Sequence, residues 1–502
     1  MSETTNLTDR INSFDEQIRS LAIRENEASF SMYRGLEHED LNELEAKMAG
    51  LWLSEEVVDI SMADAPSDDL ARPLQLLKMG VLRTRVEGRE EIYTAKNDAN
   101  KQLVEYQLEL DGEPISRTDL GEVLRHDPDP EKRRRAANAF VPLEKVLHDK
   151  VLELINKRNA AAKVLGYKSF PHMAFELEEL NLEEVIKQLV DLLERGNDSF
   201  KAILDEFRDA PDVSGDKLLS SDVRYIFENH LPNLPNDKFP KDELIGGIQR
   251  GYFDIGIDLE SLPIETVIQD IPAGGFCFTF DPGRDIRILA NPRDGHLWYQ
   301  VMFHEFGHAV HGSYANGNGN YFVALADPSF FWEGIAVTFE KLSMRKSFLA
   351  SNVGDTAAID NFLEGARKRL THRVRSLSLA ALFEYSLYLE PAPYEQLRKR
   401  LGDMVRKYMF VEPACDPPTF THDIFQITHP CYIQNYVIAE MIAAQLFESS
   451  DSKNGDPWNV DFAKQIVNDL LIPAGMKVWR DKIEGMTGKP LSSDAVIGYL
   501  YS

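Results

Sequence analysis

The chain has 502 residues, of which 43% are hydrophobic and 27% charged, a composition typical of a folded globular protein. Its 82 acidic residues outnumber the 55 basic ones, which gives a formal net charge of −27. Such a charge repels phosphate backbones and anionic lipids, so it argues against nucleic acid and membranes as partners. Three cysteines are too few for a disulfide framework, and no long apolar segment occurs. We therefore expect a soluble, cytoplasmic protein.

Helical patterns dominate roughly the first 200 residues. One helix is predicted to begin at Asn181, whose side chain can accept hydrogen bonds from the first turn, and to end at Gly196. The basic run at residues 132–135 is predicted to form a solvated helix face. The amino-terminal part of the chain is therefore predicted to be mainly α.

Two lobes within one composite fold are predicted, a helical lobe at residues 1–205 and a catalytic lobe at residues 206–502. The segments 209–216 and 232–235 are rich in proline, glycine, asparagine and aspartate, and such segments favour connections between compact regions.

The signal for strands is confined to one short region. Phenylalanine alternates with other residues along 276–280, a turn sequence follows at 281–284, and an apolar run occupies 286–290. The pattern becomes helical again after residue 344. The sequence thus predicts a mainly α protein with one small sheet.

The most informative motif is His-Glu-Phe-Gly-His at residues 304–308. Apolar residues recur at helical spacing around it, and Asp294 is predicted to cap this helix. On a helix, His304 and His308 lie on one face about 6 Å apart, so both imidazoles can bind one zinc ion. Glu305 lies about 100° round the helix, where its carboxylate can act as a general base toward a water at the metal.

A catalytic zinc ion needs a third protein ligand and one open position. Glu333 is the candidate, because a carboxylate beside the aromatic residues 330–332 needs a compensating charge such as a metal. Glu340 follows Glu333 by seven residues, which is nearly two helical turns. It is either a residue that orients a zinc ligand or a solvated acid. His311 follows His308 by three residues, and it either has a structural role, or supports a zinc ligand from behind, or contacts substrate.

The motif at 304–308, followed by Glu333 and Glu340, resembles the zinc peptidases of the thimet oligopeptidase and oligoendopeptidase F family. More distantly, it is similar to the angiotensin-converting-enzyme-like peptidases. The resemblance extends over about residues 120–450 and is strongest at 273–340.

The resemblance implies a two-lobed helical peptidase fold with a deep substrate channel and a small β-sheet beside the motif helix. It implies one zinc ion per chain on the channel floor and unstructured oligopeptides as substrates. It also implies that Glu305 takes a proton from the attacking water and passes it to the leaving amine. The stretch Gly274-Gly275-Phe276 looks like the family strand whose backbone pairs with bound substrate.

The family also carries a histidine and a tyrosine pair downstream of the zinc ligands. Residues 430–436 look like the start of the family helix that bears the tyrosines. By resemblance, Tyr436 is the donor to the oxyanion and Tyr432 its partner on the substrate side. The family histidine is either His422, which we favour, or His429.

Two other functions are alternatives to an endopeptidase. A dipeptidyl carboxypeptidase needs an Arg or Lys near Tyr432 to bind the free C-terminal carboxylate, and Ile427 and Thr428 supply none. A non-hydrolytic peptide-binding protein on a peptidase scaffold would have no need for Glu305.

Overall fold

A computed structural model describes residues 3–214, 217–271, 274–415, 418–450 and 456–501. Within these ranges the protein is mainly helical and has two small sheets, so the predicted fold class is confirmed. Two residues of the predicted connection at 209–216 lie outside the described residues.

The helices that precede the larger sheet are α1 (Glu3–Tyr33), α2 (Leu41–Trp52), α3 (Glu55–Ser61), α4 (Asp68–Glu87), α5 (Glu90–Glu105), α6 (Arg117–His126), α7 (Pro130–Asn138), α8 (Val141–Val164), α9 (Phe170–Glu176), α10 (Leu182–Arg195), α11 (Asn197–Asp205), α12 (Ser220–Asn229) and α13 (Leu244–Phe253). Those that follow it are α14 (His296–Tyr314), α15 (Tyr321–Ala324), α16 (Ser329–Glu340), α17 (Lys346–Val353), α18 (Thr356–Leu389), α19 (Tyr394–Met409), α20 (Ile424–Thr428), α21 (Gln434–Ser449), α22 (Val460–Gln465), α23 (Trp479–Thr487) and α24 (Asp494–Tyr501).

The helix that contains residues 182–195 illustrates how local sequence sets an element. The side chain of Asn181 accepts a hydrogen bond from the backbone N–H of Glu184, and Gly196 ends the helix, as predicted. The apolar residues Val185, Leu189 and Leu192 fall on one buried face. A polar cap and a helical apolar period are therefore sufficient to place this helix.

Five strands form the two sheets. Strands β1 (Leu108–Leu110) and β2 (Glu113–Ile115) make a small antiparallel hairpin. The larger sheet has the order β3-β5-β4, in which β3 (Ile264–Ile268) is parallel to β5 (Asp285–Ala290) and β4 (Gly275–Asp281) is antiparallel to it. Strand β4 therefore lies at an edge of this sheet.

The hairpin of β4 and β5 forms where the sequence predicts it. Gly283 takes a positive φ of 71° in the turn, and the N–H of Arg284 donates to the carbonyl oxygen of Asp281. The rings of Phe278 and Phe280 pack edge-on against Phe30 of α1, with centroids 5.5 and 5.9 Å away. The alternating phenylalanines thus attach one face of the sheet to the first helix.

Helix α14 carries the motif and begins one residue later than expected. Gly295, with a φ of 123°, occupies the cap position, and no side chain caps the helix. Asp294 accepts a hydrogen bond from the backbone N–H of Lys241 at 2.9 Å instead, so its predicted capping role is wrong. The positive φ of Gly295 turns the chain into the helix in its place.

Helices α14 and α16 approach each other closely at Gly307, inside the motif. A Cβ atom at Gly307 would lie 2.8 Å from the Cα atom of Ala336, a separation that real Cβ atoms do not show. Close packing of the two backbones thus depends on the absence of a side chain at this position.

Two compact units divide the chain. The first contains residues 1–85, 234–360 and 438–495, and the second contains 86–233, 361–437 and 496–502. The predicted connection at 232–235 coincides with one of these divisions. The predicted lobe boundary at residue 205 lies inside the second unit.

The basic run at residues 132–135 is only partly solvated. Arg133 is buried and forms an ion pair with the buried Asp222 at 2.8 Å, and its guanidinium also lies 4.1 Å from the ring centroid of Tyr225. The prediction of a solvated face is therefore wrong for Arg133, because α12 covers this side of α7.

Candidate metal centre

Helices α14 and α16 of the first unit bring three predicted metal ligands together. The Nε2 atom of His304 lies 3.5 Å from the Oε2 atom of Glu333, and the Nε2 atom of His308 lies 4.0 Å from that oxygen. One ligand atom from each residue lies within 4.8 Å of the others. Among the described residues, this is the one group of His, Cys, Asp or Glu side chains with such a geometry.

These donors fit a zinc ion. A tetrahedral zinc with bonds of ~2.0–2.1 Å places its ligand atoms about 3.4 Å apart. The distances of 3.5 and 4.0 Å from the two imidazoles to Glu333 are close to that value. Two imidazoles and one carboxylate form the ligand set of a catalytic zinc site, in which the fourth position stays open.

The pKa values of the two histidines are shifted in opposite directions. Burial lowers the pKa of His304, but hydrogen bonds from its ring to Glu333 and Glu340 outweigh burial and raise the pKa to about 10. Burial and the neighbouring charge of His304 lower the pKa of His308 to about 3. Metal ligation needs the neutral imidazole, so a divalent cation would displace a proton held by His304.

Glu340 lies behind the ligands and is buried. Its Oε2 atom is 3.1 Å from the Nδ1 atom of His304, and Gln300 donates a hydrogen bond to its other oxygen. Although burial raises the pKa of Glu340, the hydrogen bond from His304 lowers it to about 2. With an ionised carboxylate at Nδ1, the Nε2 atom of His304 faces Glu333 in the candidate metal site, so the structure favours the orienting role over the solvated acid.

Glu305 lies beside the ligands and next to strand β4. Burial raises its pKa to about 7, while the charge of His304 and the backbone N–H of Cys277 oppose this shift. A Cβ atom at Gly275 would lie 3.5 Å from the Cγ atom of Glu305, so the strand passes directly over this side chain. A carboxylate with such a pKa can both accept and release a proton near neutral pH.

The edge of strand β4 exposes backbone polar groups near Glu305. The N–H of Asn291, the residue after β5, donates to the carbonyl oxygen of Gly274. Gly274 and Asn291 therefore form a hydrogen-bonded pair of the ladder. In an antiparallel ladder such pairs alternate, so the backbone groups of Gly275 and Cys277 point away from β5. The ring of Phe276 packs against Tyr33, with centroids 4.3 Å apart, and belongs to the apolar cluster of α1.

His311 is fully buried. Its ring stacks on the indole of Trp332, with centroids 3.6 Å apart, and its Nε2 atom lies 3.6 Å from the Oδ2 atom of Asp327. This position excludes the predicted contact with substrate, because a side chain without exposed surface cannot contact a peptide.

An aromatic cluster in the second unit contains both predicted tyrosines. The rings of Tyr432 and Tyr436 lie 5.6 Å apart and are partly exposed. Phe425 stacks on Tyr432 at 5.9 Å, and the ring of His429 lies 6.0 Å from that of Tyr432. Tyr432 precedes α21, so a turn and not a shared helix face brings the two phenols together.

His422 occupies different surroundings from those expected. Its ring stacks on Phe140 at 4.5 Å, and its Nδ1 atom lies 3.5 Å from the Oε2 atom of the buried Glu144. Glu144 also accepts hydrogen bonds from the N–H groups of Phe420 and Thr421, so it anchors the whole segment. The structure therefore groups His429, and not the favoured His422, with the tyrosines.

Several residues that surround these sites gave little or no signal in the sequence. Gln300 precedes His304 by four residues, so helical periodicity could have identified it as a neighbour of Glu340. Asp327 and Lys482 are 155 positions apart and yet form a buried ion pair, which no local pattern predicts.

No protein-family model matches the chain, and no curated protein matches it. Among solved structures, the chain is similar to one described as "putative Oligoendopeptidase F", with a TM-score of 0.68 and 14% sequence identity. The match covers 99% of this chain and 95% of the other. Similarity at this identity establishes a shared fold over nearly the full length.

None of the described helices combines the length and the apolar composition that crossing a lipid bilayer requires.

Proposed function

We propose that the protein is a zinc-dependent endopeptidase that hydrolyses unstructured oligopeptides. The observation that carries this proposal is the convergence of His304, His308 and Glu333 beside Glu305, with Glu340 behind His304. Similarity of the fold to the structure described as an oligoendopeptidase supports the same class of reaction.

A zinc ion held by the three ligands would polarise the scissile carbonyl and increase the acidity of a nearby water. Glu305 accepts the proton of the attacking water and then transfers it to the leaving amine. Its pKa of about 7 suits both steps, because the carboxylate must be a base before attack and an acid afterwards.

The backbone of β4 is the proposed partner of the substrate chain. The outward-facing groups of Gly275 and the carbonyl oxygen of Cys277 can pair with an extended peptide in the manner of an added strand. This pairing recognises backbone and not side chains, so it suits a peptidase that accepts varied sequences. For Tyr436 and Tyr432, the proposed roles of oxyanion donor and substrate-side partner rest on the family resemblance.

Removal of the metal is the first test. The purified protein should contain close to one zinc per chain, and exhaustive chelation should abolish peptide hydrolysis until zinc is restored. Elemental analysis of the chelated sample is the necessary control. Full activity in a sample shown to contain no metal would exclude the zinc mechanism.

Substitution of the base separates binding from chemistry. Glu305→Gln keeps the size of the side chain and removes its basicity, so zinc content should persist while turnover falls at least ~100-fold. Glu37→Gln, which changes an exposed acid in the loop after α1, is the matched control. Hydrolysis by Glu305→Gln at the rate of the control would show that Glu305 is not the base.

A length series of internally quenched peptides, with cleavage sites mapped by mass spectrometry, distinguishes the alternatives. Cleavage at internal bonds of peptides with blocked C-termini supports an endopeptidase. Release of dipeptides only from free C-termini would indicate a dipeptidyl carboxypeptidase. Tight peptide binding without any cleavage would indicate a binding protein.

A further inference from the structure

A chain of four side chains, three of them buried, lies next to the candidate metal centre, entirely within the first unit. It begins at Lys482 of α23, whose Nζ atom lies 2.7 Å from both carboxylate oxygens of Asp327. Asp327 in turn faces His311 of α14, and the ring of His311 stacks on Trp332 of α16. We call these four residues the Lys482–Trp332 chain.

Two members of this chain, His311 and Trp332, lie close to candidate metal ligands in the sequence. His311 follows His308 by three residues and therefore lies on the same side of α14. Trp332 immediately precedes Glu333 on α16. The stacked pair thus links the helix that carries the two histidines to the helix that carries the third ligand.

The chain is an unusual way to stabilise a core. Lys482, Asp327 and His311 are all buried, and the nitrogens of His311 make no hydrogen bond to any described residue. Removing an ion pair and an imidazole from water is costly, and apolar residues of similar volume often serve a core equally well. A role beyond stability would account for this arrangement.

We propose that the Lys482–Trp332 chain holds α14 and α16 at the separation that joint metal binding by His308 and Glu333 requires. The proposal rests on the zinc-dependent function proposed above. Lys482 holds Asp327, whose carboxylate faces the Nε2 atom of His311 at 3.6 Å, and the ring of His311 packs against Trp332, the residue that precedes Glu333. These four are positioning residues, and none of them touches the metal or the substrate.

Zinc affinity of the metal-free full-length protein tests the proposal without reference to activity. Zinc is titrated into the protein in competition with a chromophoric chelator. We expect the zinc dissociation constant of Lys482→Met to exceed that of the wild type by about tenfold or more, the effect typical of residues that orient metal ligands. Arg133→Met is the matched control, because Arg133 and Asp222 form an equally buried ion pair at 2.8 Å in the second unit.

The two variants should both lose thermal stability, since each leaves a buried carboxylate without its cation. Only Lys482→Met should lose zinc affinity. Equal zinc affinities of Lys482→Met, Arg133→Met and the wild type would show that the ion pair is merely structural and would overturn the proposal. Absence of zinc binding in the wild type would instead refute the proposed function itself.

Variants of His311 test the stacked pair and cover the case in which Lys482→Met does not fold. His311→Ala removes the ring on which Trp332 rests and should raise the zinc dissociation constant by about tenfold. His311→Phe keeps a flat ring for the stack but removes the charge contact with Asp327, so its zinc dissociation constant should lie between those of the wild type and His311→Ala. Equal affinities of His311→Ala and the wild type would contradict the role of the stack.

Discussion

Glu305 and Glu340 both lie beside His304, yet they hold protons very differently. The pKa of Glu305 is about 7 and that of Glu340 about 2. Burial raises both, but Glu340 receives hydrogen bonds from His304 and Gln300 that stabilise its ionised form. Two carboxylates with separated pKa values suit the separate roles proposed for them, proton transfer for Glu305 and orientation of a ligand for Glu340.

Tyr436 gives a prediction about turnover. Tyr436→Phe deletes one hydroxyl and little volume, so folding and peptide affinity should persist. Loss of an oxyanion donor should lower turnover about 100-fold or more, equivalent to ~3 kcal/mol. Steady-state kinetics of Tyr436→Phe are compared with those of Tyr432→Phe, because Tyr432→Phe should chiefly raise KM. If Tyr432→Phe alone lost turnover, the two roles would be exchanged.

The two histidines can be ranked in the same assay. His429 lies beside Tyr432, whereas His422 stacks on Phe140 and faces Glu144. We therefore expect His429→Ala to lower turnover more than His422→Ala, and His422→Ala to lower the melting temperature more. If His422→Ala lowered turnover more than His429→Ala, His422 would be the counterpart of the downstream family histidine.

Glu384 gives a prediction about stability and pH. This buried carboxyl accepts a hydrogen bond from the N–H of Cys431 at 2.8 Å, and burial raises its pKa to about 8 from an ordinary 4.5. The folded state thus holds a proton that the unfolded state loses. The contribution of Glu384 to stability is complete below pH 4.5 and declines up to pH 8, by at most ~1.4 kcal/mol per pH unit.

Glu384→Gln is neutral at every pH and keeps an oxygen that can accept the bond from Cys431. The melting temperature of this variant relative to wild type should therefore rise from pH 5 to pH 8 in calorimetry. Glu395→Gln, at an exposed position of α19 in the same unit, is the control and should follow the wild type. If the melting temperatures of wild type and Glu384→Gln changed in parallel with pH, the pKa of Glu384 would not be raised.

At the scale of elements, the contact of α14 with α16 sets the geometry of the ligands. A methyl group at Gly307 would meet the backbone of Ala336 at 2.8 Å, so Gly307→Ala must push the two helices apart. We expect a loss of about 1–3 kcal/mol in stability and a weaker zinc affinity, measured by unfolding and by chelator competition.

Gly246→Ala is the matched control for Gly307→Ala. Gly246 also lies within a helix of the first unit, but a Cβ atom there meets only the end of Arg250, a flexible side chain, at 3.4 Å. Because alanine favours helix over glycine, this control should be neutral or slightly stabilising. If Gly307→Ala behaved like Gly246→Ala, the close approach of α14 and α16 would not matter.

At the scale of the whole molecule, the net charge of −27 affects the encounter with substrate. A strongly negative field attracts cationic peptides, and salt screens this attraction. For peptides matched in length, kcat/KM of a cationic one should fall as ionic strength rises, while kcat/KM of an anionic one should rise. Identical salt dependence of both would show that association is not electrostatically steered.

The sequence by itself determined those features that depend on near neighbours in the chain. The spacing of His304 and His308 places both on one helix face, the cap at Asn181 starts a helix, and alternating phenylalanines with a turn make the hairpin of β4 and β5. Helical and strand periods are properties of the local backbone, so a single sequence suffices to read them.

Only the tertiary structure decided what depends on burial and on distant segments. It made Glu340 a buried partner of His304, enclosed His311 beside Asp327, and grouped His429 with Tyr432. Burial and long-range pairing arise when residues far apart in the chain pack together, and they set the charge and orientation of each group. The identity of a residue therefore indicated the chemistry available, and its packing determined which of its roles it can perform.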